Sequence, residues 1–295
     1  MTPPAGLAPP SSDTLVASLL QMQNRDGGWG YSQHASWTET TSLAILALHA
    51  WRTSEGQCRR AGNWLMNLVR ADGGVAPNRA VQHSTWVTAL ALLVREVTGL
   101  GPSEGSLLNW LLSTRNVDSE WWYRFRNFVR GVSAPGTTHA WSWYPGTAAW
   151  VFPTAASLAA LKYPTSRPAE TQGRIRLGEE YLRIRVCRDG GWNHGSSRAL
   201  GYDADSYPET TGAALVGLRG ASAAWITRGV ERAQAYWSSC PSSYALSWLE
   251  LGLLAHGINP DPPSTPPDLR NPMEVALALI AMAARRGVPV LWARG

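Results

Sequence analysis

The sequence predicts an all-α fold, an α/α toroid of the α6/α6 type built from outer and inner helix pairs, and three observations carry that reading. A turn of apolar residue, glycine and tryptophan returns at Trp29, Val75, Trp121 and Trp192, in steps of 46, 46 and 71 residues. Each return is followed by an apolar segment that opens on threonine. The 295 residues include 16 tryptophans against three phenylalanines. A period of about 40–50 residues marks a repeat architecture, in which each unit buries its apolar face only against the next copy.

Residues 1–12, rich in proline, are expected to be disordered, and the toroid proper to span 13–258. The first copy has Leu19, Gln23, Gly27 and Trp29; the second has Trp64, Leu65, Gly73 and Val75. The third reads Trp110, Leu111, Ser119 and Trp121, and the fourth Tyr181, Leu182, Gly190 and Trp192. Segments before the turns, such as 57–70 and 173–188, mix charge with an apolar stripe and read as outer helices facing solvent. Segments after the turns, opening at Thr41, Thr88, Thr154 and Thr211, are apolar on nearly all faces and read as buried inner helices. A further pair is expected at 224–238 and 242–256, then a proline-rich link at 259–272. A helix at 273–285, within a C-terminal segment 273–295, then nearly closes a ring of six. Ser12 or Asp13, Asp72 and Asp189 stand where caps and turns need short polar side chains, and the Gly-Gly pairs supply positive φ.

Composition narrows the function. The formal charge is +5, but the basic residues are scattered and almost all arginine, with Lys162 the lone lysine, so no nucleic-acid face is expected. No run of about 18 apolar residues suggests a transmembrane segment, and the N-terminus lacks the pattern of a signal peptide. Cys58, Cys187 and Cys240 are far apart and odd in number, which suits neither a disulfide framework nor a paired metal knuckle. A reducing cytoplasm is the expected location.

The residues 23–29, Gln-Asn-Arg-Asp-Gly-Gly-Trp, form a complete Q-x3-G-x-W motif, and 60–65, Arg-Ala-Gly-Asn-Trp-Leu, match the segment that precedes that motif in squalene-hopene cyclases. Over residues 13–256 the chain resembles the prenyltransferase and squalene-cyclase repeat superfamily. That resemblance implies an α6/α6 barrel and a class II terpenoid-cyclase-like protein. Cyclases of that class protonate an alkene or epoxide with an Asp-x-Asp-Asp motif just before the Thr-Ala that opens one inner helix. Here those segments read Trp37-Thr38-Glu39-Thr40-Thr41, Trp150-Val151-Phe152-Pro153-Thr154 and Tyr207-Pro208-Glu209-Thr210-Thr211, without the aspartates. Glu39 and Glu209 fall where the proton-donating residue of the motif stands, and Asp205 lies just upstream of Glu209. The length leaves no room for the second α-domain that covers the barrel in full-length relatives, so either a partner protein or a second copy covers the mouth, or the chemistry differs. The Asp-x-Cys zinc pair of prenyltransferase β subunits is missing.

Glu209, assisted by Asp205, is therefore the leading candidate acid, with Glu39 behind it; glutamate in the first turn of a helix is also favoured for stability alone. The third turn carries an insert from Trp121 to Phe152 rich in aromatic residues and arginine. Trp121, Trp122, Trp141, Trp143, Trp150 and Phe152 could line a hydrocarbon pocket and stabilise a cation, joined by Trp37 near the mouth. Arg124 and Arg126, with Arg130, could hold a diphosphate. The equal alternative is a lid or rim helix. His34, His83, His139 and His194 occupy the turn loops, His139 and His194 being candidate pocket residues, but single loop histidines usually bond locally and no metal site is expected.

The expected function is binding of an isoprenoid or similar apolar chain inside the barrel, with acid-initiated cyclisation or isomerisation that requires no cofactor. The alternatives are a non-catalytic barrel that carries a lipid-like ligand or peptide, and a prenyltransferase-like subunit.

Overall fold

The computed structural model describes residues 10–32, 35–117, 139–164, 167–195, 198–199, 202–263 and 268–293. Among them eleven helices alternate between an outer and an inner layer. The inner helices are α2 (Thr38–Ala50), α4 (Thr88–Thr98), α6 (Val151–Lys162), α8 (Pro208–Gly217), α10 (Ser243–Ala255) and α11 (Pro272–Arg285). Each packs on the next, and α11 packs on α2, so the six close a ring. The outer helices are α1 (Ser12–Gln21), α3 (Glu55–Met66), α5 (Glu104–Ser113), α7 (Ala169–Ile184) and α9 (Ala224–Trp237). α1 packs on α11, α3 on α2, α5 on α4, α7 on α6, and α9 on both α8 and α10. A two-residue antiparallel pair, β1 (Arg198–Ala199) with β2 (Tyr202–Asp203), decorates the fourth turn.

The layers follow from composition. In α2 every residue from Thr40 to Leu48 is buried, and in α8 every residue from Thr210 to Gly217; a helix without a polar face has nowhere to lie but inside. The outer helices bury only a stripe, such as Ile226, Gly229 and Ala233 of α9. Small residues draw α8 against both neighbours. A Cβ on Gly212 would stand 2.3 Å from the Trp248 backbone of α10, and one on Gly217 2.8 Å from Ala155 of α6.

One hydrogen-bonded junction recurs at the turns. The backbone N–H of Trp29, Val75, Trp141 and Trp192 donates to the hydroxyl of Thr41, Thr88, Thr154 and Thr211, at 2.9, 2.9, 3.2 and 3.0 Å. The indole N–H of Trp29, Trp141 and Trp192 reaches back to the carbonyl of Leu19, Leu111 and Leu182 at the end of the preceding outer helix. In the third turn, then, Trp141 makes these bonds where the sequence suggested Trp121. Gly27 supplies φ +96, and the neighbouring Gly28 has no space for a side chain, since its Cβ would meet Ser36 at 2.6 Å.

The junctions also tie successive units together. Asp26 accepts from Ser36 and the Gly28 N–H, and from the Trp64 indole of α3 at 2.8 Å. Asp72 accepts from Ser84, the Gly74 N–H and the Trp110 indole of α5. Asp189 accepts from Ser206 and pairs with Arg232 of α9 at 3.1 Å. Burial alone would raise the pKa values of Asp26 and Asp72, but these donated bonds outweigh it and hold both carboxyls below the usual value.

Two ends differ from expectation. Ser12 belongs to α1 and Ser11 is its cap, accepting from the Thr14 N–H at 3.2 Å, because a serine one residue earlier leaves Ser12 and Asp13 free to begin the first turn. No described helix fills the sixth outer position. The described ends of the proline-rich segment are held instead through their carbonyls, by Trp237 at Asp261, Arg285 at Pro260 and Ser243 at Asp268.

Candidate functional site at the mouth of the ring

The inner helices all begin at one end of the ring, after the turns. Counting two residues back from each junction threonine gives Glu39, Trp86, Phe152 and Glu209, on or just before α2, α4, α6 and α8. The recurring junction brings these four to equivalent places around the mouth. Trp86 meets Phe152 edge-on at 5.4 Å, Trp143 stacks on Phe152 at 6.0 Å with 10° between planes, and Trp248 of α10 meets Phe152 edge-on at 5.2 Å. Trp86 also meets Trp143 edge-on at 5.0 Å. The faces of these rings, not their edges, are the electron-rich surface that suits a cation.

Glu39 opens on a cleft of 180 Å³ beside this cluster, shared with Tyr31, Trp37, Pro77, Trp86, Trp143 and Tyr144. Burial pushes the Glu39 carboxyl above its ordinary value of 4.5, opposed by a hydrogen bond donated by the Tyr31 hydroxyl. Tyr31 stacks at a tilt on Trp37 at 5.3 Å. Tyr244, the second residue of α10, has its phenol pKa raised by burial and then by the charges of both Glu39 and Glu209. A neutral phenol thus stands within electrostatic reach of both glutamates. Beside it the Trp248 indole N–H is buried, with no partner in hydrogen-bonding geometry, although the Tyr244 hydroxyl is near enough to feel it.

Of the residues singled out in the sequence, Glu39, Trp37, Trp143 and Phe152 come together at the cleft and its aromatic wall. Glu209 is half-buried at the second position of α8. Asp205 is exposed; its backbone carbonyl accepts from Asn193, and no hydrogen bond joins its side chain to Glu209. Trp150 and His194 form a separate stack on the rim, His194 lying 6.3 Å from Trp150 and 4.9 Å from the exposed Tyr207. Trp141 is only 1% exposed and carries the Arg174 guanidinium 4.2 Å over its ring, a packing position away from the cleft. His139 gives its backbone carbonyl to the same arginine. Trp121, Trp122, Arg124, Arg126, Arg130 and His34 lie outside the described residues. Among those described, no group of three or more His, Cys, Asp or Glu is placed to hold a metal ion, and no helix is long and apolar enough to cross a membrane.

Tyr31, Trp86, Tyr244 and Trp248 were not singled out from the sequence. Trp86 was legible, since it holds the same offset from Thr88 as Glu39 from Thr41. Tyr31 lies in the same turn as Glu39, eight residues before it, but carries no motif; Tyr244 and Trp248 carry none either, and only the closed ring brings them to the mouth.

No protein-family model matches the chain, and no curated protein matches it. Solved structures do. The type II terpene cyclase MstE from Scytonema superposes with a TM-score of 0.56 at 17% identity, over 92% of this chain and 78% of that one. A variant of MstE in complex with geranylgeranyl dihydroxybenzoate gives 0.57 at 18%, over 93% and 77%. A variant of the reducing-end-xylose releasing exo-oligoxylanase gives 0.57 at 11%, over 94% and 92%. The chain therefore has a terpene-cyclase-like α/α-toroid fold, one it shares with that exo-oligoxylanase as well.

Proposed function

We propose that the chain binds an isoprenoid or similar apolar alkene at the mouth of the ring and isomerises or cyclises it by proton transfer from Glu39. The observation that carries the proposal is a carboxyl with a raised pKa, bonded by Tyr31, opening on an aromatic-lined cleft. Burial favours the protonated form of Glu39, and the Tyr31 hydroxyl stabilises the carboxylate left behind. The proton adds to one alkene carbon, the π pair becomes the new C–H bond, and the neighbouring carbon is left cationic. A second alkene of the same chain can attack that carbon and close a ring. Loss of a proton from an adjacent carbon to Glu209 restores an alkene, so product and substrate have the same composition. Trp86, Trp143 and Phe152 shield the cation meanwhile. The apolar cleft and the MstE likeness support the substrate class. A partner chain or second copy over the mouth, where Tyr31, Tyr144 and Tyr207 are 41%, 46% and 45% exposed, belongs to the same proposal.

Incubating the purified protein with geranyl, farnesyl and geranylgeranyl alcohols, followed by gas chromatography with mass detection, tests it. Isomeric products lost in Glu39→Gln are expected; unchanged product formation in that variant removes Glu39 from the chemistry.

A second reading, glycoside hydrolysis, is favoured by the exposed tyrosines beside two glutamates, since sugars stack on aromatic faces and such hydrolysis uses paired carboxylates. Release of xylose from xylo-oligosaccharides, with no alkene converted, would select it.

A further inference from the structure

At the end of the ring opposite Glu39, the last turns of α2 and α4, the start of α3 with Glu55, Cys58 and Arg59, the residue after α6 and the chain after α11 surround a cleft of 740 Å³. That volume lies within the range of about 300–1,000 Å³ usual for small-molecule sites. Val97, Leu100, Tyr163 and Val290 give it apolar walls, while Arg52 and Arg59 are exposed at its edge.

The backbone here departs from the rest of the ring. After α4, α8, α10 and α11 the left-handed position is filled by Gly99, Gly220, Gly257 and Gly287, at φ +72, +80, +77 and +79. After α2 it is filled by Arg52 at φ +51, with Ser54 at φ +61 two residues on. An L side chain in that region costs about 1–2 kcal/mol, which glycine would avoid. What arginine adds is its guanidinium, which makes no hydrogen bond or ion pair with any described residue and acts on the neighbouring His49. Burial first, and Arg52 second, hold that imidazole below its ordinary pKa. Among the described residues Arg59 pairs only with Glu55, at 3.3 Å and exposed on both sides, an interaction weak enough for another anion to displace. The carbonyl ends of α2, α4 and α6 also gather at this end, and their dipoles would repel an anion unless cations offset them; Arg52 and Arg59 supply that charge.

We infer that this cleft is a second binding site, for a small amphiphile whose carboxylate or phosphate head is held by Arg52 and whose apolar body lies against Val97, Leu100, Tyr163 and Val290. The planar guanidinium takes such a head in a bidentate fashion, which a lone ammonium could not. The site stands apart from the mouth and does not depend on the chemistry there.

Isothermal titration with octyl phosphate, octanoate, inorganic phosphate and octanol tests the inference on the wild-type chain, Arg52→Gly and Glu39→Gln. Octyl phosphate or octanoate should bind the wild type more tightly than phosphate or octanol does. Arg52→Gly should weaken that binding about tenfold or more, the worth of one charged hydrogen-bond pair. The same variant, relieved of its strained φ, should melt at the same or a higher temperature without ligand, so a loss of binding cannot be a loss of fold. Glu39→Gln should bind as the wild type does. Equal binding by wild type and Arg52→Gly, equal binding of octanol and octyl phosphate, or no binding by the wild type overturns the inference.

Discussion

The backbone N–H of Trp141 donates to the Thr154 hydroxyl thirteen residues on, as Val75 donates to Thr88 thirteen residues on and Trp29 to Thr41 twelve on. The junction between turn and inner helix is thus preserved although an insert separates Trp141 from the outer helix that ends at Ser113. Trp141→Phe removes the indole bond to the Leu111 carbonyl while keeping most of the apolar volume. It should cost about 1–3 kcal/mol in urea denaturation, with Trp29→Phe and Trp192→Phe costing similar amounts. A loss confined to activity would mean that Trp141 serves the cleft after all.

The same spacing shows what could be read in the sequence. The alternation of outer and inner helices was legible because burial all round leaves its mark on composition, as in 41–48 and 211–216. The third junction lies at Trp141 and not 46 residues after Val75; its spacing to Thr154 repeats that of Val75 to Thr88, although the fourth, from Trp192 to Thr211, is longer. The places of Glu39 and Glu209 at the starts of α2 and α8 were legible; the surroundings of Glu39 were not. The Glu39 pKa is raised by burial, and the cleft on which it opens takes Trp86 and Trp143 from later in the chain, which only the packed helices bring beside it.

Glu39 also governs a pH dependence of stability. Its folded-state pKa lies above the unfolded value, so its contribution is fully present below about pH 4.5 and is lost as pH rises through the folded value. Glu39→Gln, which cannot ionise, should match the wild-type melting temperature in acid and equal or exceed it at pH 8. A variant less stable than wild type at pH 8 would show that the carboxylate is stabilised in the fold.

Asp26 and Asp72 have the opposite sign. Their lowered pKa values contribute stability above about pH 3.8 that is lost as pH falls through the folded values. Asp26→Asn and Asp72→Asn should each reduce stability at pH 7 and flatten the acid limb of a melting-temperature profile; an unchanged slope would contradict the assignment.

Lys162 caps the far end of α8. Its ammonium donates to the carbonyls of Gly217 and Arg219, at 3.1 and 2.9 Å, and pairs with Glu179 at 2.6 Å. Lys162→Met leaves these acceptors without their donor and should cost about 1–3 kcal/mol, more than a surface ion pair alone would give. Chemical denaturation in low and high salt separates the two contributions: a loss that disappears in 1 M salt, roughly a 3 Å screening length, would reduce Lys162 to a surface charge.

Proton transfer from Glu39 to an alkene is tested by turnover in deuterium oxide. The Glu39 carboxyl exchanges with solvent before reaction, so the product should carry one deuterium at the carbon protonated first, and Glu39→Gln should form no such product. A product formed without solvent deuterium, or an undiminished yield of deuterated product from Glu39→Gln, would contradict it.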